Sequence, residues 1–109
     1  MLIDFNEISE TINPNFKGGS KSVGTRGYSD GMNKIIKLRL EPGSSIGLHT
    51  HRSNSEIMMI LKGKGHIIFD GSGFDIAEGQ SHYCPKGHTH SLINDSDSDL
   101  EVFAVIPEQ

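Results

Sequence analysis

The chain has 109 residues, 34 % hydrophobic and 22 % charged, with thirteen glycines, one cysteine and a formal net charge of -4. That length suits one domain around one core, and the acidic balance without a basic block argues against nucleic acid as a partner. Cys84 has no second cysteine to pair with, which fits a reducing, cytoplasmic setting; no apolar run nears the roughly 20 residues of a membrane span, and the acidic amino end MLIDFNEISE is not a secretory leader.

Residues 1–20 carry the weakest pattern. Leu2, Ile3, Phe5 and Ile8 suit a short strand or a helical turn, and INPNFKGGS reads as a loop. KSVGTRGYSDG, residues 21–31, reads as an edge strand interrupted by glycine. In MNKIIKLRLEPG, Ile36, Leu38 and Leu40 alternate with Ile35, Lys37 and Arg39, the pattern of a half-buried strand stopped by Pro-Gly. Short strands follow closely in SIGLHTH, SEIMMILKG and GHIIFD. Asp70-Gly71 signals a hairpin into FDIAEG; SHYCPKG, HSLIN and DLEVFAVI complete the series. No window has a helical period, so the expectation is an all-β sandwich or barrel of about eight strands in one domain.

The chemistry gathers in two stretches. His49 and His51 are two apart, so on a strand both imidazoles project from one face. After the polar turn RSNS, Glu56 opens the next apolar run and can come in beside them on the neighbouring strand. His90 begins a strand directly after the Pro85-x-Gly87 turn, at a pocket rim, where it would make a set of three histidines and one glutamate. Imidazole nitrogen and carboxylate oxygen suit a divalent transition metal such as Mn, Fe, Ni, Zn or Co, and the donor set does not choose among them.

Read as motifs, these stretches resemble the cupin superfamily. Gly43, His49, His51, Glu56 and Gly63 match the first cupin motif, and Gly79, Pro85, Gly87, His90 and Asn94 match the second. From first to last residue the motifs span about half the chain, and the short spacing between them resembles the compact single-domain microbial members. The resemblance implies a double-stranded β-helix, or jelly-roll, barrel over residues 31–109 with a metal held by His49, His51, Glu56 and His90. It also implies a homodimer, to which the strands or arm of residues 1–30 contribute contacts. Gln80 stands where relatives often carry Asp, which should alter hydrogen bonding in that turn and leave the metal site intact.

Met58 and Ile60 follow Glu56 at period two and are expected to line the barrel interior around the metal. Arg26, Tyr28 and Arg39 are the candidates for binding an anionic small molecule, and His88 is a further candidate for the pocket, with an exposed loop position as its alternative. His66 and His82 read as surface or hydrogen-bonded histidines, Cys84 as a small buried hydrophobe, and NDSDSD as a solvated turn. Glu56 is the one candidate for a catalytic proton acceptor. Two functions fit: a metal-dependent isomerase, lyase or dioxygenase acting on a sugar-derived or carboxylate metabolite, or a non-catalytic module that binds or senses one.

Overall fold

The period-two alternation becomes ten strands in the computed structural model, which describes residues 1–109, and only two 3-10 turns, Phe5–Glu7 and Phe16–Gly18, interrupt it. The strands are β1 (Thr11–Pro14), β2 (Ser22–Ser29), β3 (Asn33–Leu40), β4 (Ser45–Thr50), β5 (Glu56–Lys62), β6 (Lys64–Phe69), β7 (Ser72–Ala77), β8 (Ser81–Cys84), β9 (Thr89–Ile93) and β10 (Leu100–Pro107). They form a six-stranded sheet in the order β1-β2-β3-β10-β5-β8 and a four-stranded sheet in the order β4-β9-β6-β7. Every neighbouring pair is antiparallel, and the two sheets face each other as a jelly-roll barrel.

Alternation decides what goes inside. On β3, Ile36, Leu38 and Leu40 are buried and Ile35, Lys37 and Arg39 face outward. Val102 and Ala104 of β10 and Met58 and Ile60 of β5 continue that inner face, and Ile46, Ile67, Ile76 and Leu92 meet them from the four-stranded sheet. Leu40, Ile60, Ile67 and Leu92 are at most 1 % exposed, and burying each contributes about 1.5–3 kcal/mol. The β6–β7 connection is the two-residue turn Asp70-Gly71, with φ of 47° and 83°, the paired positive φ that a type I′ hairpin requires.

The amino-terminal third departs from expectation in two places. Thr11–Pro14, which runs into the stretch read as a loop, is a strand paired with Ser22–Thr25. Pro14 is tolerated because it ends an edge strand and owes no ladder donor. That added strand moves β2 from the edge to the interior of its sheet, between β1 and β3. Gly24 of β2 then serves a purpose: a Cβ there would lie 2.4 Å from Glu10 Oε2, so glycine lets the Glu10 side chain cross β2. Glu10 goes on to accept two hydrogen bonds from Arg39, at 3.0 and 2.8 Å.

One outer surface stays apolar. Ile57, Met59 and Leu61 of β5 and Tyr83 of β8 are 39–53 % exposed, and the exposed Met1 and Leu2 lie at the amino end. Phe103 and Val105 of β10 pair in register with Met59 and Ile57, which extends the same outer face.

Candidate metal centre

The barrel end that holds the centre is built by a register fault. Ser45 and Ile46 pair with Ile93 and Leu92, but His49 and Thr50 pair with His90 and Thr89, so β4 carries one extra residue between Ile46 and His49. Ile46 faces inward at 5 % exposure. Strict alternation would then turn Leu48 inward and His49 outward. The bulge reverses this: Leu48 is 61 % exposed and the His49 ring lies inside, as bulges beside functional sites commonly re-aim a side chain. His51, just past the end of β4, follows His49 to the inner side and is 6 % exposed.

The second motif is tied to the first through the backbone. Gly87 N–H donates to His51 O at 2.6 Å and His51 N–H to His88 O at 3.1 Å. Gly87, at φ 89°, takes the left-handed conformation of the Pro85–Gly87 turn and delivers Thr89 and His90 opposite Thr50 and His49. At the far end, Gly43 N–H donates to Asn94 O and Asn94 N–H to Ser44 O, both at 2.9 Å. The fully buried Asn94 side chain donates to Leu40 O and Ser98 O and accepts from Ser96 N–H and Oγ–H. It thereby closes the NDSDSD turn, whose aspartates are exposed. In the other turn of the second motif, Gln80 Oε1 accepts from Ala77 N–H at 2.9 Å.

Glu56 arrives from the opposite side. It opens β5, which belongs to the six-stranded sheet and is not a hydrogen-bonded neighbour of β4. The expectation of a neighbouring strand therefore gives way to a centre bridging the two sheets. His90 Nε2 lies 2.9 Å from His51 Nε2 and 3.2 Å from His49 Nε2. Glu56 Oε1 lies 3.1 Å from His51 Nε2 and 3.0 Å from His90 Nε2.

The opposite nitrogen of each ring is engaged elsewhere. His49 Nδ1 is 2.7 Å from Gly47 O, His51 Nδ1 is 2.6 Å from Asn54 Oδ1, and His90 Nδ1 is 3.0 Å from His82 Nε2. A carbonyl and an amide oxygen can only accept, so His49 and His51 carry their proton on Nδ1 and turn Nε2 lone pairs toward the centre. Converging lone pairs need a positive charge between them. Donors bonded at about 2.1 Å lie about 3.0 Å apart at adjacent corners of an octahedron and about 3.4 Å apart on a tetrahedron. The four separations, 2.9–3.2 Å, match the octahedral edge. This group of four could hold a metal ion.

Protons compete for the same lone pairs. Burial opposes the charge of Glu56, yet the hydrogen bonds and charges of His51 and His90 outweigh it and hold the carboxyl at about 2. The bond to Glu56 raises His51, against its burial, whereas burial lowers His49. His82, Cys84 and His90 form a second compact group, but burial pushes the Cys84 thiol up to about 11. Cys84 therefore stays S–H and is the small buried residue its sequence suggests. His66 is satisfied by Asp75 at 3.1 Å.

A cavity of about 310 Å³ opens onto the four side chains. Met58, Ile36, Leu38, Ile46 and Leu92 form its apolar wall, and Lys17, Lys34 and Arg52 are its cationic members. Other expected pocket residues lie elsewhere. Ile60 is 1 % exposed in the core and lines none of this cavity. His88 bonds to Asp70 and stacks on Phe69 at 5.5 Å. Arg26 donates to Phe5 O and Ile8 O, at 3.3 and 2.6 Å. Tyr28 lines a separate shallow depression on the β1–β3 side, and Arg39 is engaged by Glu10 and Asp99. Lys17, Lys34, Arg52 and Asn54 were not singled out by sequence, and His82, read only as a surface or hydrogen-bonded histidine, is buried and bonded to His90. His82 alone carried a signal, since it stands two before the buried Cys84 and so shares its inward face.

Comparison with known proteins agrees with this fold. The family model described as Cupin domain matches residues 36–106. A Thermotoga maritima protein named oxalate-binding protein is 31 % identical over 112 residues, covering 97 % of this chain and 93 % of the relative. A crystal structure described as a predicted oxalate decarboxylase from Thermotoga maritima superposes with a TM-score of 0.94 at 30 % identity over 100 % of both chains. A sugar phosphate isomerase of the cupin superfamily from Silicibacter pomeroyi shares the fold, with a TM-score of 0.82 at 18 % identity over 100 % of this chain and 76 % of that one.

Proposed function

We propose, from the premise that the chain belongs to the cupin family, that it binds a small dicarboxylate of the oxalate class through a divalent metal held by His49, His51, Glu56 and His90. The observation that carries the reading is the convergence of three Nε2 atoms and one carboxylate oxygen at octahedral edge distances beneath a cavity with cationic residues in its wall. Four protein donors leave up to two positions of an octahedral ion for a ligand. In the loaded site the cation supplies Lewis-acid attraction for carboxylate oxygens. The chain supplies the rest: Lys17, Lys34 and Arg52 give the cavity a positive wall for an anion, and Met58 and Leu92 limit its width. The relative named oxalate-binding protein supports the ligand class.

Binding is favoured over turnover by what lines the cavity. Glu56 is its only carboxylate and belongs to the ligand set, and its three imidazoles belong to that set too. No separate side chain of carboxylate or imidazole type remains to carry a proton to or from a substrate. A second reading, decarboxylation, rests on the description of the superposable Thermotoga maritima structure.

The test loads the chelated protein separately with Mn, Fe, Co, Ni and Zn and titrates oxalate calorimetrically. One equivalent of metal, metal-dependent oxalate binding and recovery of unchanged oxalate are expected; release of carbon dioxide and formate would establish the enzymatic reading instead. His51→Ala should lower metal content sharply, and unchanged stoichiometry in that variant would refute the ligand assignment.

The assembly proposed is a homodimer through the outer face of β5, β8 and β10, where Ile57, Met59, Leu61 and Tyr83 stand exposed. Of residues 1–30, the amino-terminal stretch joins as the contacting arm, since Leu2, Ile3 and Phe5 share a surface groove with Leu61 and Lys37, while β1 and β2 belong to the barrel sheet. No helix is long and apolar enough to cross a membrane, and the lone buried Cys84 supports a cytoplasmic setting.

A further inference from the structure

His49 and His51 are oriented by oxygens that can only accept a proton, Gly47 O and Asn54 Oδ1. His90 has no such oxygen. Its Nδ1 faces Nε2 of another imidazole, His82, at 3.0 Å, and an imidazole nitrogen can either donate or accept. The pair therefore has two neutral arrangements. If His90 donates from Nδ1, its Nε2 presents a lone pair toward His49, His51 and Glu56. If His82 donates from Nε2, the His90 proton must sit on Nε2, in the middle of the donor set, and blocks it.

The geometry points to His82 as a positioning residue that accepts the His90 Nδ1 proton and so keeps His90 Nε2 open for a cation. This rests on the proposed metal site. A cation at His90 Nε2 requires the proton on Nδ1, where His82 Nε2 is the acceptor at hand, and three features keep that pair in place. First, His82 and His90 are 5 % and 1 % exposed, so bulk water does not replace the bond between them. Second, the His82 ring is fixed edge-on between Phe69 and Phe74, with centroids 5.2 and 5.8 Å away at interplanar angles of 74° and 61°. It cannot swing from His90 without losing both aromatic contacts. Third, His82 Nδ1 has no protein partner, and Ser55 Oγ is the one buried side-chain polar atom left without a bond. His82 Nδ1 is thus not among the sealed, unsatisfied atoms, so its N–H can be satisfied by water while Nε2 accepts from His90.

The inference extends the site across the barrel. His82 belongs to β8 of the six-stranded sheet and His90 to β9 of the other, so the ring that sets the His90 tautomer comes from the same sheet as Glu56. Partners that orient a metal-binding histidine are usually carboxylates, carbonyls or water. A neutral imidazole is a weaker director, which makes its removal measurable.

The experiment uses the full chain and two variants, His82→Phe and His82→Gln. Phe keeps a planar ring between Phe69 and Phe74 but offers no acceptor; the Gln carbonyl restores one. Mn and Co affinity is measured by competition with a chromophoric chelator, and the His90 tautomer in chelated protein by long-range proton–nitrogen NMR. Expected are an Nδ1–H tautomer for His90 in the wild type, a 10–100-fold loss of metal affinity in His82→Phe with mixed His90 tautomers, and recovery of most of that loss in His82→Gln. Wild-type His90 protonated on Nε2, or a folded His82→Phe protein of wild-type affinity, would overturn the inference. Equal weakness of both variants would reduce His82 to a packing role and overturn it too. If His82→Phe does not fold, the wild-type tautomer and the His82→Gln affinity decide. Absence of metal binding by the wild type would instead sink the proposed site, and the tautomer measurement reads the His82–His90 pair separately from that result.

Discussion

Replacing Gly47 by alanine tests whether the strand bulge and the segment over it hold the centre in shape. A Cβ on Gly47 would stand 2.1 Å from Lys17 O, 2.7 Å from Gly19 N and 2.8 Å from Gly18 C. All three are backbone atoms, so no side-chain rotation relieves the contact. Ordinary contact begins at 3.4 Å, which requires the Lys17–Gly19 segment to retreat by about 1.3 Å. That retreat strains three hydrogen bonds: Ser45 N–H to Ser20 O at 3.1 Å, Ser20 N–H to Ser45 Oγ at 2.9 Å and Ser20 Oγ–H to Gly43 O at 2.8 Å. It also draws Phe16 from its packing against the core. At about 1 kcal/mol per bond the loss is about 3 kcal/mol. Alanine in place of glycine returns about 0.5–1 kcal/mol through the unfolded chain. The net, about 2–3 kcal/mol, lowers the thermal midpoint by roughly 10–20 °C. Scanning calorimetry of chelated protein measures it. Gly31→Ala is the control: Gly31 has a positive φ of 88° but nothing within 4 Å, so its cost is conformational and smaller. Gly47→Ala should also weaken metal binding, because Gly47 O orients His49. A midpoint within 3 °C of wild type, or above it, would refute the reasoning, since glycine-to-alanine without a collision stabilises.

Acid should weaken the chelated fold in a defined window. Burial lowers His82 from 6.5 to about 4, so the unfolded chain binds this proton more tightly than the folded one. The contribution is nil above about 6.5 and destabilises progressively down to about 4, by an amount on the order of 3 kcal/mol; urea midpoints across that range should fall, and His82→Gln should flatten the slope. Lys17→Met removes one positive charge from the cavity wall while leaving the four metal donors in place. Oxalate affinity of the metal-loaded protein should drop roughly tenfold with unchanged metal content, and an unchanged calorimetric affinity would exclude Lys17 from anion binding. Met59→Lys places a charge on the exposed apolar face of β5. Wild type should sediment as a dimer and the variant as a monomer at micromolar concentration; a monomeric wild type would remove the assembly proposal.

What the sequence made legible was whatever depends on local period and fixed spacing. Ile36, Leu38 and Leu40 announce their strand and its inner face, and Asp70-Gly71 announces its turn, because side-chain alternation and positive φ are properties of a few neighbouring residues. The two motifs made His49, His51, Glu56 and His90 visible together, and the structure brings all four to one point. What stayed hidden depends on pairing across long separations. In SIGLHTH, Ile46 and Leu48 share one parity and His49 and His51 the other, so the apolar residues and the imidazoles cannot all face inward in a regular strand. That conflict is itself the trace of the bulge at Gly47–Leu48, though sequence alone does not say which set yields. The cations could not be ranked from sequence for the same reason. Arg26 and Arg39 sit on strands that read as exposed edge and outer face, yet backbone carbonyls and Glu10 engage them. Lys17 sits in a stretch with no pattern, at a left-handed φ of 54°. It lines the cavity only because Gly19 and Gly47 let its segment lie against β4, where a Cβ on either residue would meet backbone within about 2 Å. The four clustered side chains can be read from their own residue types and spacing; the cations of the cavity wall are placed by glycines elsewhere in the chain, and their position becomes visible only once the backbone is closed around them.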